Sequence, residues 1–226
     1  MSKTLKIPEI SKVFTINRGF INNLVIENPA RFFQTIECFI KDIDLGDSLL
    51  AYSENNIITR LFGRACFVSN LLEIDLTSKK IRNQLYRLIE DSIDSGKRQT
   101  FLETLNCNVI GFFKEQLLHF EIPLVSDGEL KMVDLIKVMD FTIGLTWETF
   151  LEKITNYVGT IQKLFRINTF FFLNLKQFLT PAEYELFAKE MRLNNTEIFL
   201  IERQNLYISA EYDRLTIIDN DLCEIE

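Results

Sequence analysis

The stretch of residues 167–202 constrains the fold more than any other, because it places one capped helix between two apolar runs. Thr180 is placed to cap the helix, Pro181 occupies its first position, and Glu183 follows three residues after the cap. The hydroxyl and carboxylate can then satisfy backbone donors that have no partner inside the helix, and proline lacks one such donor. Both flanking runs are apolar at successive positions, which is typical of strands buried on both faces. This pattern predicts a β-α-β unit of a parallel sheet.

Alternating apolar residues over 5–16 and 20–26 predict two more strands, joined by a turn near Arg18-Gly19. Asn28-Pro29 is a helix-start signal. Three longer stripes with apolar residues three and four apart begin near Lys79, after Gly96 and at Trp147, and they predict amphipathic helices. Further strands are predicted at 48–52 and 215–218, and residues 65–70 and 71–76 together predict one or two more.

The predicted strands come from both ends of the chain, with the long helices between them. We therefore expect an α/β head domain formed by residues 1–77 and 167–226, with an inserted all-helical leg domain at 78–166. Residues 211–226 hold six acids and one arginine, so an acidic tail is expected after the last strand.

Composition restricts the class of protein. The four cysteines lie far apart without a C-x-x-C pair, and the only histidine is His119, so the common zinc spacings are missing and reduced thiols are expected. No apolar run reaches the length of a spanning helix, and the opening residues do not resemble a signal peptide. We therefore expect a cytoplasmic protein that does not contact membranes.

Catalytic motifs are not found in the sequence. Gly96-Lys97-Arg98 is the nearest match to a phosphate-binding loop, but Asp91 stands where its first glycine belongs and Arg98 where a hydroxyl residue belongs. His119 lies in an apolar setting that favours a packed structural residue. The sequence therefore predicts a protein that is not an enzyme.

Four carboxylates, those of Glu121, Asp127, Glu129 and Asp134, cluster around a predicted turn and helix start. Oxygen ligands on such a turn suit calcium, which accepts flexible coordination by six to eight oxygens. A capped helix start is the alternative explanation. We keep both, with calcium as the predicted cofactor.

The net charge of −7 argues against indiscriminate binding of nucleic acid. It is unevenly spread, however, because residues 1–98 carry a net +2 and residues 99–226 a net −9. Solvated charge is the default reading of any surface lysine. In a symmetric ring, a few cations per protomer would nevertheless be multiplied around one duplex. The candidate DNA-binding residues are Lys131, Lys137, Lys153, Lys163 and Arg166.

Three motifs resemble the Csn-two family of type II-A CRISPR-associated proteins. The segment from Leu24 to Pro29 is similar to the family's entry into its first helix. Asn174, followed by Phe178-Leu179-Thr180, is similar to its passage from a buried strand into a capped helix. Residues 198–202 are similar to its late core strand, although Arg203 follows where the family often has proline. The order of strands and inserted helices also agrees over nearly the whole chain.

This resemblance implies a head similar to P-loop ATPases but without their nucleotide motif, and a helical leg. It implies a homotetrameric ring whose lysine-lined hole threads the ends of linear double-stranded DNA. It also implies calcium near the hinge between head and leg. The expected role is spacer acquisition in antiviral defence, beside the CRISPR integrase complex and the RNA-guided effector nuclease.

By position, the resemblance assigns Asp127, Glu129 and Asp134 to the family's acidic stretch, Lys137 to a lysine of the following helix, and Arg166 to a lysine-rich region. Two alternatives stay open: a degenerate ATPase-like protein that binds nucleotide for regulation, and a scaffold that binds only protein partners.

Overall fold

The computed structural model describes residues 3–117 and 128–225. Its strands are β1 (Lys3–Lys6), β2 (Val13–Ile16), β3 (Ile21–Ile26), β4 (Ala51–Glu54), β5 (Ile57–Thr59), β6 (Ala65–Val68), β7 (Thr169–Leu173), β8 (Glu197–Glu202), β9 (Asp213–Ile218) and β10 (Glu224–Ile225). Its α-helices are α1 (Pro29–Ile40), α2 (Lys79–Ser92), α3 (Ser95–Leu117), α4 (Met132–Val138), α5 (Phe150–Phe165) and α6 (Pro181–Leu193). A π-helical turn (Lys41–Leu45) and a 3₁₀ turn (Leu175–Phe178) complete the regular structure of these residues.

The chain divides into two compact units. Unit 1 comprises residues 1–75 and 145–226, and unit 2 comprises residues 76–144. The predicted boundaries were 77/78 and 166/167. The second boundary lies at 144/145 instead, because α5 belongs to unit 1. The side chains of α5 that are buried in unit 1 are those of Ile154, Val158, Thr160, Ile161 and Leu164.

The central sheet of unit 1 has six strands in the order β10-β9-β3-β8-β7-β6. Strands β6, β7, β8, β3 and β9 are mutually parallel, and β10 pairs antiparallel at one edge. The chain crosses from β3 to the far edge at β6, returns through β7 and β8, and then passes to β9 on the other side of β3. The predicted α/β class and the β7-α6-β8 unit are confirmed.

Local signals explain why the helices start where they do. The Thr180 hydroxyl accepts from the backbone amide of Glu183, whose carboxylate accepts from the amide of Thr180, so the predicted capping box is present. Asn28 caps α1 in the same way through the amide of Arg31, and Pro29 is the first residue of that helix. Thr149 caps α5. Each cap satisfies a donor that would otherwise be left unpaired.

A second, smaller sheet in unit 1 has four antiparallel strands in the order β2-β1-β4-β5. The predicted turn near Arg18-Gly19 is present between β2 and β3, and these two strands belong to different sheets. Of the one or two strands predicted over 65–76, one forms, which is β6, and residues 71–76 form turns and irregular backbone.

The core of unit 1 lies between the two sheets and α1. It is rich in rings: Phe199 of β8 has its ring centroid 5.0 Å from that of Phe14, 5.5 Å from that of Phe171 and 6.2 Å from that of Phe39. All four side chains are buried.

In unit 2, Tyr86 of α2 and two residues of α4, Met132 and Ile136, form a small buried cluster. Leu102 of α3 packs against it. None of the helices in the described ranges is long and apolar enough to cross a bilayer.

Candidate nucleic-acid interface

The carboxyl end of α5 carries two of the predicted DNA-binding cations. Lys163 lies in the last turn, and Arg166 caps the helix in a left-handed conformation, with its backbone amide donating to the carbonyl of Gln162 at 2.9 Å. Both side chains are exposed. Within residues 3–117 and 128–225, no carboxylate lies within ion-pair distance of either side chain. This helix end therefore presents positive charge that could meet a phosphate.

Lys153 lies at the other end of α5 and has a different environment. Its side chain is half-buried, its ammonium donates to the carbonyl of Leu72 at 3.3 Å, and it lies 5.9 Å from the centroid of the Trp147 ring. Ten helical residues turn through roughly 1000°, which leaves Lys153 and Lys163 about 80° apart around the axis. The two lysines therefore project from different sides of α5.

Lys131 and Lys137 lie in unit 2, at the two ends of α4. Lys131 is the N-cap residue and Lys137 is in the last turn, and both are exposed. The ammonium of Lys137 lies 3.8 Å from a carboxylate oxygen of Asp134, one turn earlier on the same surface. All five cations stay predictions as DNA ligands.

The predicted calcium site is only partly described. Glu121 and Asp127, like His119, lie outside the described residues. Glu129 is exposed, and Asp134 is half-buried in the first turn of α4. The described residues include no group of three or more carboxylate, histidine or cysteine side chains placed to hold a metal ion. Glu129 and Asp134 do not form a calcium site by themselves, so the prediction depends on Glu121 and Asp127.

The carboxyl ends of the parallel strands form the other place where a ligand could bind. Chain connections from β3 and β8 leave in opposite directions, which is the arrangement that opens a ligand crevice in doubly wound sheets. Here, only Glu27 and Asn28 separate β3 from α1. A phosphate-binding loop needs a longer glycine-rich segment whose backbone amides surround the phosphate.

Protein groups occupy this switch point. The guanidinium of Arg203 donates to the carbonyl of Ile26 at 3.0 Å, and the amide of Arg203 donates to the side chain of Asn174 at 3.0 Å. The side-chain amide of Asn28 donates to the carbonyl of Asn220 at 2.9 Å, while its oxygen accepts from Arg31. The carboxyl ends of β3, β7 and β8 are thus tied to one another by side chains.

A buried ion pair in unit 1 was missed by sequence reasoning. The Lys176 ammonium lies 2.6 Å from a carboxylate oxygen of Asp213 and donates to the carbonyl of Tyr207 at 2.8 Å. The side chains of Lys176 and Asp213 are 1% and 0% exposed. No motif marks this pair, because a single lysine between a strand and a helix normally lies at the surface.

None of the four cysteines, Cys38, Cys66, Cys107 and Cys223, forms a disulfide in the part of the chain that the structure describes. Cys38 and Cys66 are half-buried, and the other two are exposed. Burial raises the pKa of the Cys38 thiol, which favours its unreactive protonated form.

A family model described as CRISPR-associated protein (Cas_Csn2) matches residues 47–222, which is more than half of the chain. The chain belongs to the Csn2 family. A protein named CRISPR-associated protein Csn2 from Streptococcus agalactiae is 23% identical over 155 residues, which are 68% of each chain. The resemblance identified from the three sequence motifs is therefore confirmed.

Among solved structures, the crystal structure of Stu0660 of Streptococcus thermophilus aligns with a TM-score of 0.59 and 15% identity. It covers 96% of this chain and 74% of that one, and at this identity it supports the fold alone. An ABC transporter ATP-binding protein from Pyrococcus furiosus covers 95% of this chain and 97% of that one at 11% identity, with a TM-score of 0.44, too low to carry an argument.

Proposed function

We propose that this Csn2-family protein is a non-catalytic, ring-forming binder of linear double-stranded DNA ends that acts in spacer acquisition. Its family membership, which rests on the match over residues 47–222, is the observation that carries the proposal. The proposed partners are DNA ends, further copies of the chain in a homotetramer, the CRISPR integrase complex and the effector nuclease.

Exposed cations support the DNA part of the proposal. Lys163 and Arg166 are adjacent on the last turn of α5, and neither has a carboxylate partner among the described residues. Phosphate contacts from such side chains give affinity without reading sequence. In a ring, each such contact would be repeated in every protomer.

The structure of the switch point supports a non-catalytic role. At the start of α1, Pro29 has no amide hydrogen, and the Asn28 side chain already accepts from the amide of Arg31. Glu27, an acidic residue, is one of the two residues that join β3 to α1. Unit 1 would therefore be a P-loop-ATPase-like head that has lost its nucleotide site.

Gel-shift titration with one DNA sequence in two forms tests the proposal. We expect blunt linear duplex to bind and relaxed closed circles of the same sequence to bind at least tenfold more weakly, since a closed circle has no end to thread. Equal affinity for the two forms would rule out threading. Absence of binding to either form at low ionic strength would rule out DNA binding altogether.

Charge-reversal variants test whether the carboxyl end of α5 contacts DNA. Lys163→Glu with Arg166→Glu should weaken binding equally for unrelated sequences and reduce the salt slope of log Kobs by about one per cation removed. Lys189→Glu is the matched control, because Lys189 is also an exposed lysine on a helix of unit 1. If the control weakens binding as much as the double variant, α5 does not provide a specific contact.

We also propose calcium as the cofactor, bound by Glu121, Asp127, Glu129 and Asp134. Titration calorimetry with calcium should show binding that Asp134→Asn weakens at least tenfold. The same titration with magnesium is the control, since magnesium requires a stricter octahedral geometry. Unchanged calcium affinity in the variant would remove Asp134 from the ligand set.

The degenerate ATPase alternative predicts nucleotide binding without hydrolysis. A thermal-shift measurement with millimolar magnesium and ATP separates it from the main proposal, because a bound ligand raises the unfolding temperature. We expect no shift. A scaffold that binds only protein partners would instead fail in both DNA arms of the gel-shift experiment.

A further inference from the structure

Glu202, the last residue of β8, is a carboxyl group buried in the core of unit 1. Its exposed fraction is 0%. One carboxyl oxygen accepts from the backbone amide of Lys176 at 3.1 Å, and the other has no hydrogen-bond partner. A buried polar atom without a partner costs free energy, so such an atom in a native fold needs an explanation.

Among the described residues, Lys176 has the only ammonium placed to neutralise Glu202, and this ammonium already pairs with Asp213. The Lys176 ammonium is 2.6 Å from Asp213, which also accepts from the Tyr184 hydroxyl and from the amide of Ser209. The rings of Tyr184 and Tyr207 lie 4.4 and 5.2 Å from the same ammonium. Two buried carboxyl groups therefore share one cation, and Glu202 has no counterion of its own.

A second group without partners lies on the adjacent strand. Asn23 of β3 is buried, and neither its side-chain oxygen nor its nitrogen has a hydrogen-bond partner. Val25 is the register partner of Glu202, and Asn23 precedes Val25 by two residues. Because side chains alternate along a strand, Asn23 and Glu202 face the same side of the sheet.

A proton on Glu202 would resolve both problems. It would remove the uncompensated charge and turn the unpartnered carboxylate oxygen into a donor. The side-chain oxygen of Asn23, unpaired on the same face of the neighbouring strand, is the candidate acceptor for this donor. An ionised Glu202 would leave these atoms unsatisfied.

We propose that Glu202 is a buried proton-binding site of unit 1 that is neutral in the folded protein under mildly acidic conditions, and that its ionisation destabilises the fold. The groups that surround it are Lys176 in the 3₁₀ turn, Asp213 on β9, Tyr184 on α6 and Tyr207 in the 203–212 connection. This connection starts at Arg203, the residue at the switch point, so the proton site lies at the base of the segment that joins β8 to β9.

Burial raises the pKa of Glu202 to about 7, against the smaller opposing effects of the Lys176 amide, the Lys176 charge and the Leu175 amide; the Asp213 charge raises it further. The ordinary value is 4.5, so the folded state holds the proton more tightly than the unfolded state. The stabilisation is therefore complete below the ordinary value and is lost as the pH rises towards the folded value. Between pH 4.5 and about pH 7, the proton equilibrium of Glu202 lowers the folding equilibrium constant by up to about tenfold per pH unit.

Urea unfolding of the full-length chain between about pH 5 and pH 8 tests the proposal. Glu202→Gln keeps the size of the side chain and mimics the neutral acid. We expect it to remove most of the loss of stability that the wild type shows across this range. Glu190→Gln, which removes an exposed carboxylate of α6, is the control and should keep a profile parallel to the wild type. If the profile of Glu202→Gln is also parallel, the proposal is wrong.

A second measurement does not require the variant to fold. Carbon-13 NMR of wild-type protein labelled at its glutamate carboxyl groups should show one group that titrates near neutral pH, with the rest at lower pH. If all glutamate carboxyl groups of the folded protein titrate below about pH 5.5, Glu202 does not bind a proton as proposed.

Discussion

Strand β8 of unit 1 and helix α3 of unit 2 are both rich in apolar side chains, and they differ in burial. All six residues of β8 are buried. Helix α3 extends over 23 residues, and none of them is buried among the described residues of the chain. Phe112 and Phe113 of α3 are 59% and 53% exposed.

The difference shows that periodicity determines the type of element, whereas burial depends on what packs against it. Strand β8 lies between β3 and β7, so its hydrogen bonds and both of its faces are covered by unit 1. Helix α3 packs against the small cluster of unit 2 through Leu102, and its Asn106 side chain is hydrogen-bonded to the backbone of Leu130. Removing the same type of apolar side chain from β8 and from α3 should therefore lower the free energy of unfolding by unequal amounts.

The sharpest test compares one phenylalanine from each region. Phe199→Ala should lower the free energy of unfolding by about 3–5 kcal/mol, because the side chain is fully buried among three other rings. Phe112→Ala should change it by no more than about 0.5 kcal/mol. Urea unfolding followed by circular dichroism measures both. A large loss for Phe112→Ala would mean that another surface covers α3 in solution.

A buried ion pair of unit 1 and an exposed ion pair of unit 2 allow the same comparison for charged side chains. Lys176→Met should cost about 3–5 kcal/mol, because it leaves the Asp213 carboxylate buried without a cation. Lys137→Met removes the partner of Asp134 at an exposed position and should cost at most about 1 kcal/mol.

Adding Asp213→Asn to Lys176→Met separates charge from packing. The double variant should recover part of the lost stability, since Asp213 is then no longer a buried carboxylate without a cation. If it is as unstable as Lys176→Met alone, packing rather than charge determines the cost.

The elements that could be predicted from sequence are those with local signals. The capping box at Thr180 and Glu183, the proline at 181 and the continuous apolar runs were sufficient to predict β7, α6 and β8. These signals act over a few residues, so they are visible in one sequence.

The smallest expected difference between two compared variants concerns the capping box at Thr180. Thr180→Ala removes the acceptor for the Glu183 amide, which lies 3.3 Å away, and should cost about 1 kcal/mol. Thr180→Ser is the matched control, because it keeps the hydroxyl, and it should lose much less. Thermal unfolding resolves a difference of this size, and equal losses in the two variants would show that the hydroxyl does not stabilise the helix.

The remaining features depend on contacts distant in sequence. An alternating pattern identified β2 and β3 as strands but could not show that they join different sheets. The stripe on α5 gave a helix but not its unit. Lys176 has no local signal, because its partner Asp213 is 37 residues away and is brought close only by the fold. Of the candidate site, the five cations were predicted from sequence and stay predictions as DNA ligands, while the occupied switch point and the Glu202 cluster had no signal in the sequence.

Light scattering of the purified protein, with and without calcium and blunt-ended duplex, tests the proposed ring most directly. The protomer mass is 26.5 kDa, and we expect a fourfold multiple that binds the duplex at low ionic strength. A protein that stays at the protomer mass under every condition and shows no affinity for duplex ends would contradict the account.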